Sequence, residues 1–332
     1  MEKYNDPYYF LKRQAMWVAL GTVIMLTMRK IDYRYMEKYT YLIMGTTFLM
    51  LIAVMMPGLG KEVGGARRWL TLGGLTFQPS ELAKFALVLF IAKSLVKRSD
   101  QLKNFAYGYL PKLIVLGFFF VPILFQPDFG TAMIICTVTF SMLMIAGLRT
   151  KFLVYSVLAI IPFIVAAIMG AEYRTRRILA FLDPWQDPSD TGFQAIQSFY
   201  AFGRGGIFGS GIGASSQKLF YLPEAHTDFI FSVIGEELGF IGTLIIVLLF
   251  SVLIWRGFVI AYRAKDSFGA HVAIGLTLLL GIQAFVNMGV AVGLLPTKGL
   301  TLPFISMGGS SLLVLMLSMG VLLNISEQPV QR

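Results

Sequence analysis

The sequence predicts an all-α, polytopic membrane protein. Of its 332 residues, 56% are hydrophobic and only 14% are charged, and the mean hydropathy is +0.72, far above that of soluble domains. The apolar residues fall into long runs, and about 17 to 25 such residues cross the roughly 30 Å of hydrocarbon in a bilayer. Because backbone groups in lipid must bond to one another, these runs are predicted to be helices.

Nine apolar runs follow one another along the chain. No soluble domain or repeat separates them, so we expect one integral-membrane domain over residues 1–332. The seventh run is too long for one straight crossing, and we expect it to protrude or tilt. The predicted cores are Ala15–Met28, Tyr39–Met56, Glu81–Val96, Leu113–Phe125, Phe129–Leu148, Phe152–Met169, Phe229–Tyr262, Val272–Leu295 and Phe304–Leu323.

Lysine and arginine residues set the predicted orientation. They crowd the short connections on one side, which the positive-inside tendency makes cytoplasmic. The net charge of +10 is therefore mainly a topology signal, and we expect contact with membrane lipid and no nucleic-acid partner. The opposite face carries the longer connections 57–80, 171–228 and 296–303. Cys136 is the single cysteine, which excludes an intramolecular disulfide and a cysteine metal cluster.

Charged residues lie at the outer ends of two spans. Arg68 precedes the third span, and Glu81 and Lys84 begin it three residues apart, on one helical face where they can pair. Interfacial anchoring is one interpretation, and a polar cavity that these charges face is the other. Asp128, in the turn before the fifth span, is favoured as a helix cap, with a place in the cavity wall as the alternative.

Three arginines follow the sixth span on the outer face, against the positive-inside tendency. Arg174, Arg176 and Arg177 suit a phosphate or pyrophosphate, which guanidinium groups bind in bidentate fashion, although lipid phosphates could also be their partners. The glycine-rich stretch 201–218 lacks the Gly-Lys-Ser/Thr ending of a nucleotide phosphate loop and follows no strand. We therefore interpret it as a series of tight turns.

The stretch Leu222–Phe231 reads LPEAHTDFIF and places charged residues at the mouth of the seventh span. Either Thr227 or Asp228 could cap the following helix, or Asp228 could be a catalytic group, and the residues alone leave both interpretations open. His226 and Glu224 are expected to shape this loop and to tune the aspartate.

Small and polar residues lie at the mouth of the last span. Lys298 lies in a short outer loop, and Ser306 and Ser310 flank a pair of glycines. Close helix packing explains such residues in many membrane proteins. Backbone N–H groups at a helix start can also meet anions, which makes these residues candidate ligands of a phosphate.

Eight motifs run in order along the chain: GARRW, QPSELAK, QPDFGT, LDPW, GFQAIQS, YAFGRGGIFGSGIG, QKLFYLPEAHTDFIFSVIGEELGF and GLLPTKGLTLPFISMGGSS. Over essentially the whole chain they resemble the motifs of the SEDS family (shape, elongation, division, sporulation). The seventh and eighth are more like division members than elongation or sporulation members. The family has ten helices, so we expect its first helix to be missing here. Met307 replaces the usual tyrosine of SYGGSS.

The resemblance implies a peptidoglycan glycosyltransferase that polymerises lipid II at the outer face of the bacterial cytoplasmic membrane, at the division septum. The family's catalytic aspartate matches Asp228. A general base is the role we assign to it, because inverting transfer needs a base on the acceptor hydroxyl, whereas pyrophosphate leaves as an anion without an acid. The candidate substrate-binding residues are Arg68, Glu81, Lys84, Asp128, Arg174, Arg176, Arg177, Gln197, Lys298, Ser306 and Ser310, with Glu224, His226 and Thr227 in support.

The resemblance also implies partners. They are lipid II, the lipid-linked glycan strand, a class B penicillin-binding protein with transpeptidase activity, and other membrane proteins of the division machinery. The sequence shows no dedicated metal site, although a divalent cation, Mg²⁺ or Mn²⁺, could assist the phosphates. The alternatives are a lipid II flippase, which needs a polar path to the cytoplasmic side, an elongation or sporulation member of the family, and a noncatalytic scaffold.

Overall fold

Helices make up most of the described chain. The computed structural model describes residues 8–63, 65–72, 75–97, 104–156, 158, 162, 172–215, 226–297 and 299–328. A π-helical turn precedes α4, and residues 150–156 are also helical. The labelled helices are α1 (Tyr9–Lys30), α2 (Arg34–Met55), α3 (Pro79–Lys97), α4 (Leu110–Phe125), α5 (Phe129–Ile145), α6 (Glu172–Leu182), α7 (Phe193–Gly205), α8 (Ile230–Tyr262), α9 (Ser267–Ala291) and α10 (Gly309–Glu327).

Most of the predicted spans coincide with helices. Only the sixth, Phe152–Met169, lies mainly outside the described residues, and the other eight correspond to α1–α5 and α8–α10. Within the described ranges, five helices are long and apolar enough to cross a membrane: α2, α4 with its π-helical turn, α8, α9 and α10. The protein therefore has a polytopic, helical membrane fold.

The chain divides into two compact units. The first unit comprises Met1–Leu148, Ile254–Leu280 and Met307–Arg332, and the second comprises Arg149–Leu253 and Gly281–Ser306. Each unit has its own core of buried apolar side chains. The single domain expected from the sequence stays a prediction.

Helices α2 to α5 form the core of the first unit, and α1 packs along α10. Buried residues of the core include Leu51, Leu87, Phe119 and Ile123. Small residues bring α1 and α10 close together, since a Cβ added at Gly320 would lie 2.5 Å from the carbonyl oxygen of Met25. Close backbone approach of this kind is how helices associate in lipid, where burial of apolar surface adds no driving force.

A small antiparallel sheet interrupts the helical pattern in the first unit. Its order is β1 (Gly60–Val63), β2 (Ala66–Leu72) and β3 (Leu75–Phe77). Gly65, with φ +75°, lies in the turn between β1 and β2, where a side chain would be strained. The sequence predicted only a long connection in this region, so the three strands are an addition to the all-helical prediction.

In the first unit, polar groups connect the turn between α1 and α2, the residue before α9 and the end of α10, all predicted to lie on the cytoplasmic side. Asp266 accepts hydrogen bonds at Oδ2 from Tyr33 Oη at 2.7 Å and from Arg34 Nε at 3.1 Å, and at Oδ1 from the backbone of Gly269 at 2.7 Å. Asn324, near the end of α10, accepts from the backbone N–H of Tyr33 at 3.0 Å. Burial raises the pKa of Asp266, but these hydrogen bonds outweigh burial and lower it below the usual value.

A break in α8 is the main feature of the second unit. Gly239 has φ +67° and ψ −165°, which no helical residue adopts, so α8 consists of two helical parts. The seventh predicted span was expected to protrude or tilt, and the structure divides it instead. At the break, backbone groups bond to the glycine-rich segment: Ser210 N to Glu236 O, Gly211 N to Glu237 O, Phe240 N to Gly206 O and Ile241 N to Ile207 O, at 2.9–3.2 Å.

Glycine is required where the two backbones meet. Gly209 has φ +82°, and a Cβ there would lie 2.2 Å from the carbonyl oxygen of Glu237. A Cβ at Gly239 would lie 2.4 Å from the backbone nitrogen of Gly209. Gly213 has nearly the same φ, +84°, but a Cβ there would meet nothing within 4 Å. The tight turns predicted for this segment are thus present, and the backbone of the segment bonds to α8 at its break.

We expect Asp266→Asn to lower the apparent melting temperature of the detergent-solubilised protein at neutral pH. Because the folded-state pKa of Asp266 is depressed, its contribution is complete above the unfolded pKa, about 3.9, and is lost as the pH falls through the folded-state pKa. The difference from wild type should therefore shrink in melting curves recorded below about pH 4. Glu327→Gln is the control, since its ion pair with Arg29 is exposed and weak.

We expect Gly209→Ala to lower the apparent melting temperature by several degrees more than Gly213→Ala. Both changes force alanine into a left-handed conformation, which costs about 1–2 kcal/mol. Only the change at Gly209 also drives a Cβ into the backbone of Glu237. Melting curves of the two variants in the same detergent make the comparison, and equal losses would contradict the close approach.

Candidate active site

Asp128 organises a polar cluster at the start of α3 and α5 in the first unit. Its Oδ1 accepts from the backbone N–H of Thr131 at 3.1 Å, which confirms the predicted helix cap. Its Oδ2 accepts from Gln78 Nε2 at 3.1 Å and from Ser80 Oγ at 3.2 Å. Ser310 joins the same cluster, since its Oγ accepts from the backbone N–H of Gln78 at 3.0 Å. The place of Asp128 in a cavity wall stays a prediction.

Arg68 lies on β2 and binds the carbonyl end of α4. Its Nε donates to the carbonyl of Gln126 at 2.8 Å, and its Nη2 donates to the carbonyl of Pro127 at 2.6 Å. A guanidinium at the carboxyl end of a helix is favourably placed, because it satisfies carbonyls that have no partner in the helix. Two of its five N–H donors therefore have a structural use.

Glu81 and Lys84 form the ion pair that their spacing predicts. Lys84 Nζ lies 2.9 Å from Glu81 Oε1 and 2.8 Å from Oε2, and the two residues are only 3% and 7% exposed. A buried charge is costly without a partner of opposite charge. The Glu81 carboxylate is that partner and holds the Lys84 ammonium in place. Lys84 also lines a narrow pocket with Leu87, Val88, Ile135, Val138, Thr139, Met142 and Leu279.

Asp228 lies in a turn before α8 in the second unit and is half-buried. Its carbonyl oxygen accepts from Asn287 Nδ2 at 2.9 Å, and the preceding carbonyl, of Thr227, accepts from Ser306 Oγ at 2.5 Å. Its carboxylate lies beside Gly299, where an added Cβ would come within 3.3 Å of Oδ2. The backbone of the turn is thus bonded to α9 and to the connection before α10.

The other candidates of the second unit are less closely described. His226 and Arg176 are exposed, and Gln197 on α7 is half-buried. Hydrogen bonds from Thr191 mainly lower the pKa of Asp187, with a smaller contribution from the charge of Arg176. Glu224, Lys298 and the side chains of Arg174 and Arg177 lie outside the described residues. Within the described part of the chain, no group of three His, Cys, Asp or Glu residues is placed to hold a metal ion.

Several residues that contact the candidates were not among the predicted site residues. Asn287, Ser80 and Gln126 all bond to the elements that carry Asp228, Asp128 or Arg68, and all three are buried. The available signal was general: a polar side chain inside an apolar helix must find a partner. It does not say which partner, and so it did not connect Asn287 with Asp228.

Comparisons with known proteins agree over nearly the full length of the chain. A family model described as a cell cycle protein, and named for FtsW, RodA and SpoVE, matches residues 1–331. The probable peptidoglycan glycosyltransferase FtsW of Geobacter metallireducens is 49% identical over 327 residues, or 98% of this chain and 87% of the relative. Stage V sporulation protein E of Bacillus subtilis is 43% identical over 325 residues, or 98% of this chain and 89% of the relative.

Two solved structures share the fold. A chain from a peptidoglycan synthase complex, solved to explain the coordination of polymerization and crosslinking, is 31% identical with a TM-score of 0.82 and covers 98% of this chain and 92% of its own. The rod shape determining protein RodA of Thermus thermophilus is 28% identical with a TM-score of 0.72 and covers 99% and 91%.

We expect Glu81→Gln and Lys84→Met each to lower the apparent melting temperature more than the double variant does. Removing one partner of a buried ion pair leaves an uncompensated charge, at a cost of about 3–5 kcal/mol, whereas replacing both removes the charges together. A double-mutant cycle of melting temperatures checks this. Additive losses would show that the two groups do not stabilise one another.

Proposed function

Because the chain belongs to the family of FtsW, RodA and SpoVE proteins, we propose that it is a peptidoglycan glycosyltransferase that polymerises lipid II into glycan strands at the outer face of the cytoplasmic membrane. The names of relatives that are 41–49% identical over 98% of the chain support this activity. The polytopic fold supports it as well, since the substrate is a membrane lipid whose sugar lies outside the bilayer.

The proposed reaction is an inverting sugar transfer. The 4-hydroxyl of the GlcNAc of lipid II attacks the anomeric carbon of the donor, which is the growing strand linked to lipid pyrophosphate. A base takes the proton of the hydroxyl as the new glycosidic bond forms, and the bond to the pyrophosphate breaks with its electron pair on the leaving oxygen. Pyrophosphate is stable as an anion, so one carboxylate is sufficient and a general acid is not needed.

The geometry of the turn that contains Asp228 supports the assignment of this residue as the general base. Asp228 is half-buried and precedes a long apolar helix, which is the position at which we expect a lipid-linked sugar to meet the membrane surface. Its main chain is held by Asn287 and Ser306, and its carboxylate lies beside Gly299, which offers no side chain to cover it on that side. We therefore propose Asp228 as the general base, with His226, Thr227 and Glu224 shaping its loop.

Binding of the pyrophosphate is proposed for basic residues of each unit. In the first unit the candidates are Arg68, which keeps donors beyond the two that bind α4, and Lys84, which Glu81 orients. In the second unit Arg176 is the described candidate. The remaining candidates for substrate contacts are Asp128, Arg174, Arg177, Gln197, Lys298 and Ser310, whereas the hydroxyl of the sequence candidate Ser306 is bonded to Thr227 and Leu302. Guanidinium groups suit this ligand because their fork matches two phosphate oxygens.

We also propose a role in cell division, at the septum, together with a class B penicillin-binding protein. The FtsW name of several relatives supports the division role, and the similarity to a chain of a peptidoglycan synthase complex supports a crosslinking partner. Lipid II, the lipid-linked strand and other membrane proteins of the division machinery are the further proposed partners.

We expect Asp228→Asn to reduce polymer formation by at least about 100-fold, because removal of a general base costs roughly 10²–10⁴ in rate. The purified protein is supplied with lipid II and its candidate transpeptidase partner, whose crosslinking activity is blocked, and glycan strands are separated by gel. Asp183→Asn is the matched control. It removes the same charge from the outer connection, where asparagine caps the Trp185 backbone as well as aspartate does.

Full polymerisation by Asp228→Asn, with a melting curve like that of wild type, would overturn the assignment of the base. The absence of polymer from wild type, together with accelerated translocation of lipid II in protein-loaded vesicles, would replace the polymerase proposal with a flippase.

A further inference from the structure

We propose that Asn287 and Ser306 are positioning residues that hold the Asp228 turn in place for the reaction. This inference rests on the proposed function, because it takes Asp228 to be the base. Neither residue is assigned contact with the reacting atoms in this role. Both act through the main chain of the turn that carries Asp228.

Two side-chain bridges fasten the turn. Asn287, on α9, donates through Nδ2 to the carbonyl of Asp228 at 2.9 Å and to the carbonyl of Leu300 at 2.6 Å. Ser306 donates through Oγ to the carbonyl of Thr227 at 2.5 Å and accepts from the backbone N–H of Leu302 at 2.7 Å. Each bridge therefore joins one carbonyl of the turn to the connection between α9 and α10.

Burial makes these bridges stronger constraints than surface hydrogen bonds. Asn287 is 2% exposed and Ser306 is 4% exposed. A net hydrogen bond contributes only about 1 kcal/mol, but a buried carbonyl left without its donor loses about 1–3 kcal/mol. Loss of either side chain would remove two of these buried bonds at once, and the turn would shift as a result.

The orientation of the Asn287 amide shows which of its atoms matters. Its Nδ2 faces two carbonyl oxygens, while its Oδ1 is buried without a hydrogen-bond partner among the described residues. A reversed amide would place an oxygen against two oxygens, so the donor must face the turn. An unpaired Oδ1 is unfavourable, and the two donor bonds outweigh that cost.

The position of the turn matters because a general base must be within hydrogen-bond reach of the hydroxyl that it deprotonates. A displacement of about 1 Å at an active site can lower the rate about 100-fold. Such a displacement should change the rate of the chemical step more than the affinity for the lipid, because binding of the pyrophosphate is proposed for basic residues outside this turn. A change in kcat with little change in KM is therefore the expected signature of a lost bridge.

The experiment compares polymerisation kinetics of Asn287→Ala, Ser306→Ala and Ser306→Thr with those of the wild type. We expect the two alanine variants to lower kcat at least about 10-fold and to leave KM within about twofold. Ser306→Thr keeps the hydroxyl and should restore most of the rate lost in Ser306→Ala.

Gln283→Ala is the matched control. Gln283 lies one helical turn before Asn287, is fully buried, and donates to the carbonyl of Thr301 at 3.1 Å. Its loss also removes a buried bond to a loop carbonyl, while both bridges to the turn remain, so kcat should stay within about threefold of wild type.

A second measurement does not depend on activity. Hydrogen–deuterium exchange of the peptide that spans residues 226–230 should be faster in Asn287→Ala and Ser306→Ala than in wild type and Gln283→Ala. Unchanged exchange, or unchanged kcat in an active protein, would overturn the inference. If the wild type makes no polymer, the proposed function fails, and the exchange measurement alone decides whether the bridges hold the turn.

Discussion

Inside a bilayer, a backbone carbonyl or N–H group that leaves its helix finds no water to bond with. At the break in α8, backbone groups that leave the helix have partners in another segment of the chain. Four backbone groups freed at Gly239 bond to the segment around Gly206 and Ser210, much as neighbouring strands bond to one another. Glycines allow the two backbones to approach, and a Cβ at Gly209 would collide with the helix. The broken helix therefore accounts for the glycine at position 209.

The same demand for partners shapes the two groups of candidate residues. In the first unit, some candidate side chains bond to one another, as Asp128 does with Gln78 and as Glu81 does with Lys84, whereas Arg68 bonds to main-chain carbonyls. In the second unit, the side chain of Asn287 bonds to the main chain of the Asp228 turn. Bonds between two side chains fix the positions of those side chains relative to each other. Bonds to main-chain carbonyls fix the path of the backbone and leave the side chain on that backbone to other uses.

Local features were predictable from the sequence, and contacts between distant residues were not. Apolar length defined eight helices, because lipid permits few alternatives. The cap at Asp128 and the pair of Glu81 and Lys84 followed from spacings of three residues, and both are confirmed. The strands at 60–77 and the break at Gly239 depend on which backbone groups meet in space. The bond of Asn287 to Asp228 joins residues 59 positions apart, a pairing that no spacing rule predicts.

The attachment of the turn through its carbonyls also bears on how this protein can evolve. Every amino acid carries the same carbonyl, so the bridges from Asn287 and Ser306 place no demand on which side chains occupy positions 227 and 228. A mutation in the turn can change its chemistry while the attachment persists. A mutation at Asn287 or Ser306 changes the attachment while the reactive group persists. Selection can therefore act on reactivity and on placement separately, through different codons.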